Sequence, residues 1–231
     1  MKPNILLIST VVSRNLHRAI KDVSDYTNVK LIFAHDLPKK STLQKYVDWA
    51  DIILMDVRGD PLSLTELNYK NKDVVALVGG SPSILSLAKL GKFKMSKIMK
   101  SDKCTMSYGN PESMMKWIKR IQKIIEFLGK FLPITVLKDT RNYIKILKYW
   151  ANGGYNNYKN MFLHICKLKG LDVEVEDPIE YPEFGLYHPV YGDKIKISPD
   201  KPTVGVIYYG GMHRDTSLPL LEEIVKNWIV I

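Results

Sequence analysis

The chain has 231 residues, 45% of them hydrophobic, and its 34 Lys and Arg against 24 Asp and Glu give a formal charge of +10. This composition excludes a disordered chain, leaves room for one large core or two modest ones, and favours anionic partners such as nucleic acid, phosphates or a polycarboxylate ligand. Its two cysteines, Cys104 and Cys166, lie far apart with no second thiol nearby, which implies neither a disulfide framework nor a thiolate zinc motif and suits a reducing cytosol.

The apolar opening at 5–12 is too short to span a bilayer and lacks a secretory cleavage site, so it reads as a first strand, residues 4–10. Leu16, Ala19, Ile20 and Val23 follow at helical spacing. A second apolar run occupies 29–35. Ser41 or Thr42 then caps a helix with Leu43, Tyr46, Val47 and Ala50 inward, and further runs follow at 52–57 and 74–78. Continuous apolar strands alternating with helices predict a parallel sheet covered on both faces, a Rossmann-like or flavodoxin-like α/β domain.

Ser81 with Pro82 opens the next helix and Gly91 is expected to stop it. Lys89, Lys92, Lys94, Lys97, Lys100 and Lys103 read as a solvated face, since no helix-turn-helix, zinc-finger or RNP-type signature accompanies the charge. Asn110-Pro111-Glu112 starts a longer helix with Met114, Trp117, Ile118, Ile121, Ile125 and Leu128 inward, ended by Gly129 and Pro133. The first domain is expected to span 1–132.

Residues 133–178 read as a helical hairpin linker. Tyr143, Ile146, Leu147 and Trp150 share one face of a helix opened by Asp139 or Thr140, and Tyr158, Met161, Phe162 and Ile165 repeat the spacing. Gly153 and Gly154 end the first helix and let the chain turn, with Trp150 as packing. A proline-punctuated acidic segment runs over 172–189, and 179–231 reads as the start of a second α/β domain. It has a buried strand at 203–209, a helix at 222–228 and one more strand begun at 229–231, as if the unit were truncated or completed by a partner.

The familiar catalytic signatures are missing. There is no Walker loop, no Gly-x-Gly-x-x-Gly after the first strand, no Gly-x-Ser-x-Gly elbow and no Asp-x-His-x-x-Gly cobalamin signature. Ser9 and Thr10 stand where a phospho-receiver needs acids, so Asp56 alone does not support that reading. Two histidines have functional placement. His188 lies in an irregular segment, and His213 follows a strand at the loop where open α/β sheets gather ligands.

Three motifs occur in a telling order: Tyr149-Trp150-Ala151-Asn152-Gly153-Gly154-Tyr155-Asn156-Asn157, then Pro182-x-x-Gly185-Leu186-Tyr187-His188-Pro189, then Lys201-Pro202-Thr203-Val204-Gly205-Val206-Ile207-Tyr208-Tyr209. Together they resemble the large subunit of cobaltochelatase and its homologue in magnesium chelatase (CobN/BchH-like), loosely before Tyr149 and closely after it. The resemblance implies the N-terminal portion of the tetrapyrrole- and metal-binding large subunit of a cytoplasmic, ATP-dependent chelatase. Such an enzyme inserts Co2+ or Mg2+ into a corrin or porphyrin, in cobalamin or chlorophyll-type biosynthesis. It further implies that ATP is used by AAA+ partner subunits and not bound here, and that the remainder of the large subunit is needed, this chain being inactive alone.

Insertion needs a base for the pyrrole N–H protons and ligands that strip water from the metal. The resemblance offers His188, His213, Arg214 and Tyr187 as tetrapyrrole or metal contacts, with Trp150, Gly153, Gly154, Asn157, Gly185 and Pro189 as structural motif residues. Two departures stand out: Asn156 replaces a usual Glu, and Gly210-Gly211 precede the basic His213-Arg214. The alternatives are a non-catalytic tetrapyrrole-binding or partner-docking module of the same fold, and a basic α/β nucleic-acid-binding protein.

Overall fold

The computed structural model describes residues 1–57, 62–77, 81–99, 134–180, 205 and 219–225. Four strands form the parallel part of the sheet: β1 (Asn4–Ser9), β2 (Asn28–Phe33), β3 (Ile52–Asp56) and β4 (Asp73–Ala76). Helix α1 (Arg14–Asp22) joins the first two, α2 (Lys40–Trp49) the second pair, and α3 (Leu62–Thr65) precedes β4. The strand order is β2-β1-β3-β4 in this part, with Leu7 opposite both Leu31 and Leu54. Because β1 lies between β2 and β3, the topology is the flavodoxin-like one of the two expected, with its switch point between β1 and β3. Central β3 is buried at every residue, whereas edge strand β2 is mostly half-buried.

The sheet is mixed rather than wholly parallel. After α4 (Pro82–Leu87), capped by Ser81 Oγ accepting from Ile84 N at 3.2 Å, the chain forms β5 (Lys89–Leu90) and β6 (Phe93–Lys94), then α5 (Met95–Met99). β5 runs antiparallel to β4 and β6 antiparallel to β5. Gly91 therefore does not stop a helix but turns this hairpin, at φ +54°. Its N–H donates to Asp73 Oδ1 at 2.9 Å and the Lys92 N–H to Asp139 Oδ2 at 2.7 Å. The lysine-rich run thus begins as an edge hairpin, which the charges blunt against further pairing.

Helix α6 (Ile134–Asn152) starts five or six residues before the expected Asp139 or Thr140 cap. Both lie inside it: Asp139 serves the β5–β6 turn, and Thr140 Oγ1 donates to Val136 O at 2.6 Å. Likewise α2 begins at Lys40 with no side-chain cap, because Ser41 and Thr42 are already helical. Helix α7 (Tyr155–Leu168) completes the hairpin.

The expected apolar faces of α6 and α7 are fully buried and belong to one hydrophobic cluster with the sheet strands. Helix α7 packs on α1, and α6 packs on α7, β5 and β6. Tyr143 Oη donates to Ala76 O at 3.3 Å, and its ring centroid lies 4.8 Å from that of Phe93. Lys169 pairs with Asp73 at 2.8 Å, and Tyr155 Oη donates to Asp22 Oδ2 at 2.6 Å. The helix expected at 222–228 is seen as helical residues 219–225. The expected helix at 111–128, the strand at 203–209, the last strand and the boundary at 132 fall outside the described residues.

Candidate functional site

The glycine turn is set by backbone conformations that only glycine adopts easily. Gly153 has φ +62°, and its N–H closes α6 on Tyr149 O at 3.1 Å. Gly154, at φ +88° and ψ 156°, forms the N-cap of α7; this corner of backbone space is essentially closed to residues with a Cβ. The turn brings Trp150 onto Tyr158, ring centroids 5.3 Å apart, both fully buried. Trp150 Nε1 is buried with no hydrogen-bond partner among the described residues, so this side chain acts there by packing. Asn156 is exposed.

After α7, residues 171–180 form neither helix nor strand and, among the described residues, pair with no strand. Their exposure alternates: Leu171, Val173 and Val175 are half-buried, whereas Asp172, Glu174 and Glu176 are exposed. One side of this strap therefore rests on the hairpin, and its backbone is satisfied by side chains. Asn157 Oδ1 accepts from Ile179 N at 2.9 Å and Asn157 Nδ2 donates to Ile179 O at 3.0 Å, a reciprocal pair that imitates a strand neighbour. Asn160 Oδ1 accepts from Glu176 N at 2.9 Å. Tyr149 Oη donates to Glu176 O.

From α6, Lys145 meets Asp177 and Lys148 meets Glu180, each at 2.6 Å. The strap thus lies between the two helices, running with α6 and against α7. Asn157 and Asn160 also donate back to Gly153 O at 2.8 Å and Asn156 O at 3.0 Å, which fixes their amide orientation.

Electrostatics follow from this packing. Burial, and then the Asp177 and Glu176 carboxylates, push the Tyr149 hydroxyl well above its ordinary range, so it remains a donor. The hydrogen bond and charge of Lys145 hold Asp177 below the usual carboxylate value. His164 is 7% exposed, its Nε2 has no partner among the described residues, and its ring lies 6.1 Å from Tyr149. Burial, followed by Lys145 and Lys167, depresses it to about 4. Burial raises the Cys166 thiol to about 11, which leaves it an inert packing group.

At the sheet's switch point, Asp56 is fully buried and accepts from Thr10 Oγ1 at 2.8 Å, Thr10 N at 3.2 Å and Ser9 Oγ at 3.3 Å. The hydroxyls that replace a receiver's acids tie this carboxylate to β1.

Of the residues anticipated from sequence, Trp150, Gly153, Gly154 and Asn157 come together at the turn. Tyr187, His188, Gly185, Pro189, His213 and Arg214 lie outside the described residues. Asn160 was not anticipated. Its signal is an amide three residues after Asn157 on a helix face otherwise built from Tyr158, Met161 and Phe162, where a polar group needs a stated partner. Among the described residues, no group of three or more His, Cys, Asp or Glu is placed to hold a metal ion.

A flavodoxin-like sheet with a buried helical hairpin and a clamped strap defines an α/β protein. Residues 147–228, which take in the end of α6, the turn and the strap, match the CobN/Magnesium Chelatase family. The chain is 28% identical over 168 residues to the chloroplastic magnesium-chelatase subunit ChlH of Oryza sativa subsp. indica, covering 58% of this chain and 12% of that protein. It is 30% identical over 169 residues to the magnesium-chelatase H subunit of Cereibacter sphaeroides, covering 62% and 14%. The catalytic subunit of cobaltochelatase from Mycobacterium tuberculosis superposes with a TM-score of 0.44 at 12% identity, over 82% of this chain and 12% of that one. Residues 147–228 are similar to the CobN/magnesium chelatase family, and the chain is similar to these chelatase subunits over part of its length. It spans 12% to 14% of the length of the two curated relatives named.

Proposed function

We propose that this chain is the N-terminal portion of the tetrapyrrole- and metal-binding large subunit of an ATP-dependent chelatase, with Co2+ or Mg2+ and a corrin or porphyrin as substrates. The observation that carries this reading is the family match over 147–228, which begins inside α6 and includes the turn, the strap and the two later motifs. The +10 charge is compatible with it, because a basic chain attracts a carboxylate-bearing tetrapyrrole.

His188, His213, Arg214 and Tyr187 are the proposed contacts: imidazoles as metal ligands or bases, and Arg214 for a carboxylate. Gly185 and Pro189 shape their loop. ATP is consumed by AAA+ partners, and the rest of the large subunit completes the site. The domain division at 132 and 178 and the cytoplasmic location belong to the same reading. No helix among the described residues is long and apolar enough to cross a membrane.

Absorbance titration of the chain with a metal-free corrin, and in parallel with protoporphyrin, each with and without Co2+ or Mg2+, tests the binding claim. A saturable shift of the absorption bands is expected with at least one of them. A flat titration with both would sink the reading. Metal insertion on adding the AAA+ subunits separates a catalytic subunit from a binding module.

A further inference from the structure

The strap's apolar contacts leave its register undetermined. Leu171, Val173 and Val175 repeat every second residue, so a slip of two residues would place similar side chains on the same face. The polar contacts are not degenerate in this way. Moved by two residues in either direction, Lys145 would face Val175 or Ile179 in place of Asp177. Moved by one in the direction that brings up residue 178, Asn157 Oδ1 would face Pro178, which has no N–H to donate. Asn157 and Asn160 are nine-tenths buried or more and each binds a specific strap amide. A buried amide left without its partner is costly, so the correct register is the one that satisfies both.

We propose that Asn157 and Asn160 are positioning residues: they fix the strap in one register, and tetrapyrrole binding depends on that register. This role rests on the chelatase reading. The two asparagines act through the strap backbone. Lys145 and Lys148 add charge selection at the same three-residue spacing.

The test uses the full chain. Asn157→Leu and Asn160→Leu remove the amides at near-constant volume. Ile179→Pro removes the N–H from the strap side and leaves the hairpin untouched, so it remains informative if the helix variants fold poorly. Asn157→Asp keeps the acceptor and loses the donor. Three quantities are read: amide hydrogen exchange at Glu176, and at Ile179 in the variants that keep its N–H, affinity for metal-free corrin and protoporphyrin by absorbance, and the absorption maximum of the bound pigment. Melting of the sheet is the control.

The expected result has three parts. Strap exchange and dissociation constants both rise by about tenfold, the worth of one buried hydrogen-bonded pair. The bound spectrum shifts, and sheet melting is little changed. Asn157→Asp falls between wild type and Asn157→Leu. Unchanged strap exchange overturns the clamp. Faster exchange with unchanged affinity and spectrum overturns the positioning role and leaves the chelatase reading intact. A wild-type chain that shifts neither pigment overturns both.

Discussion

Two extended segments of this molecule, β3 and the strap at 171–180, solve the same backbone problem in different ways. β3 is flanked by β1 and β4, residues 52–55 pair in register with both, and all five residues are buried, so apart from Asp56 it is a run of apolar side chains and needs no particular one. The strap has, over residues 171–176, the alternating exposure of a strand but, among the described residues, no strand beside it. Its amides are met by Asn157, Asn160 and Tyr149 from two helices, so single side chains decide whether it docks at all. A ladder is generic and repeats; a side-chain clamp is specific and holds one register.

The largest effect that sharpens this contrast comes from the core under each segment. Trp150→Ala should cost about 3–5 kcal/mol and Leu54→Ala about 2–5 kcal/mol, because both side chains are fully buried. Chemical denaturation with hydrogen exchange on the sheet amides checks whether they report one cooperative unit. If Trp150→Ala loosens the hairpin and leaves β1 and β3 fully protected, the shared core does not couple them.

Acid should act on the hairpin side before the sheet. The imidazole of His164 titrates near 6.5 in an unfolded chain and near 4 in the fold. Above pH 6.5 it is neutral in both states and has no effect on the pH dependence. As pH falls through 6.5 the unfolded chain binds a proton that the folded one refuses, so stability drops until about pH 4, by about 3 kcal/mol in total. His164→Leu should remove that part of the acid dependence. A melting curve against pH unchanged by this substitution would contradict the buried, neutral histidine.

Gly154→Ala forces a Cβ into a backbone region reserved for glycine and should cost about 1–3 kcal/mol, read by thermal melting. Gly153→Ala, in the milder left-handed region, should cost about 1 kcal/mol. The smallest change is expected from Lys145→Met. Its partner Asp177 is 91% exposed, so the melting temperature should stay within error and be insensitive to salt. A clear loss there would move the weight of strap docking from the asparagines to the charges.

Much of the sheet was legible in the chain because a buried parallel strand needs only a run of apolar residues. The runs at 4–10, 29–35, 52–57 and 74–78 each overlap an observed strand, with ends that differ by no more than two residues. The β5–β6 hairpin escaped notice because two-residue strands carry no periodicity, and its lysines suggested a solvent-facing surface. Asp139 and Thr140 looked like helix caps because their side chains suit that role. One is instead engaged across space with the Gly91 turn, a contact 47 residues away in sequence.

At the candidate site, glycine chemistry and the apolar faces of α6 and α7 were readable from local pattern, and the ordered motifs pointed to the chelatase family that the match over 147–228 bears out. The clamp was not readable, because an asparagine's partner is chosen by the fold and not by its neighbours in sequence.

The sequence by itself determined the α/β class, the helical hairpin, the glycine turn and the resemblance to the chelatase family, since each is written in short-range spacing or in local motifs. Only the tertiary structure decided the flavodoxin-like strand order, the antiparallel edge and the continuity of the core from sheet to hairpin. It also decided the engagement of Asn157 and Asn160 with the strap. These depend on which surfaces meet, and hydrogen bonds between residues 16 and 22 apart in the chain leave no periodic trace in it.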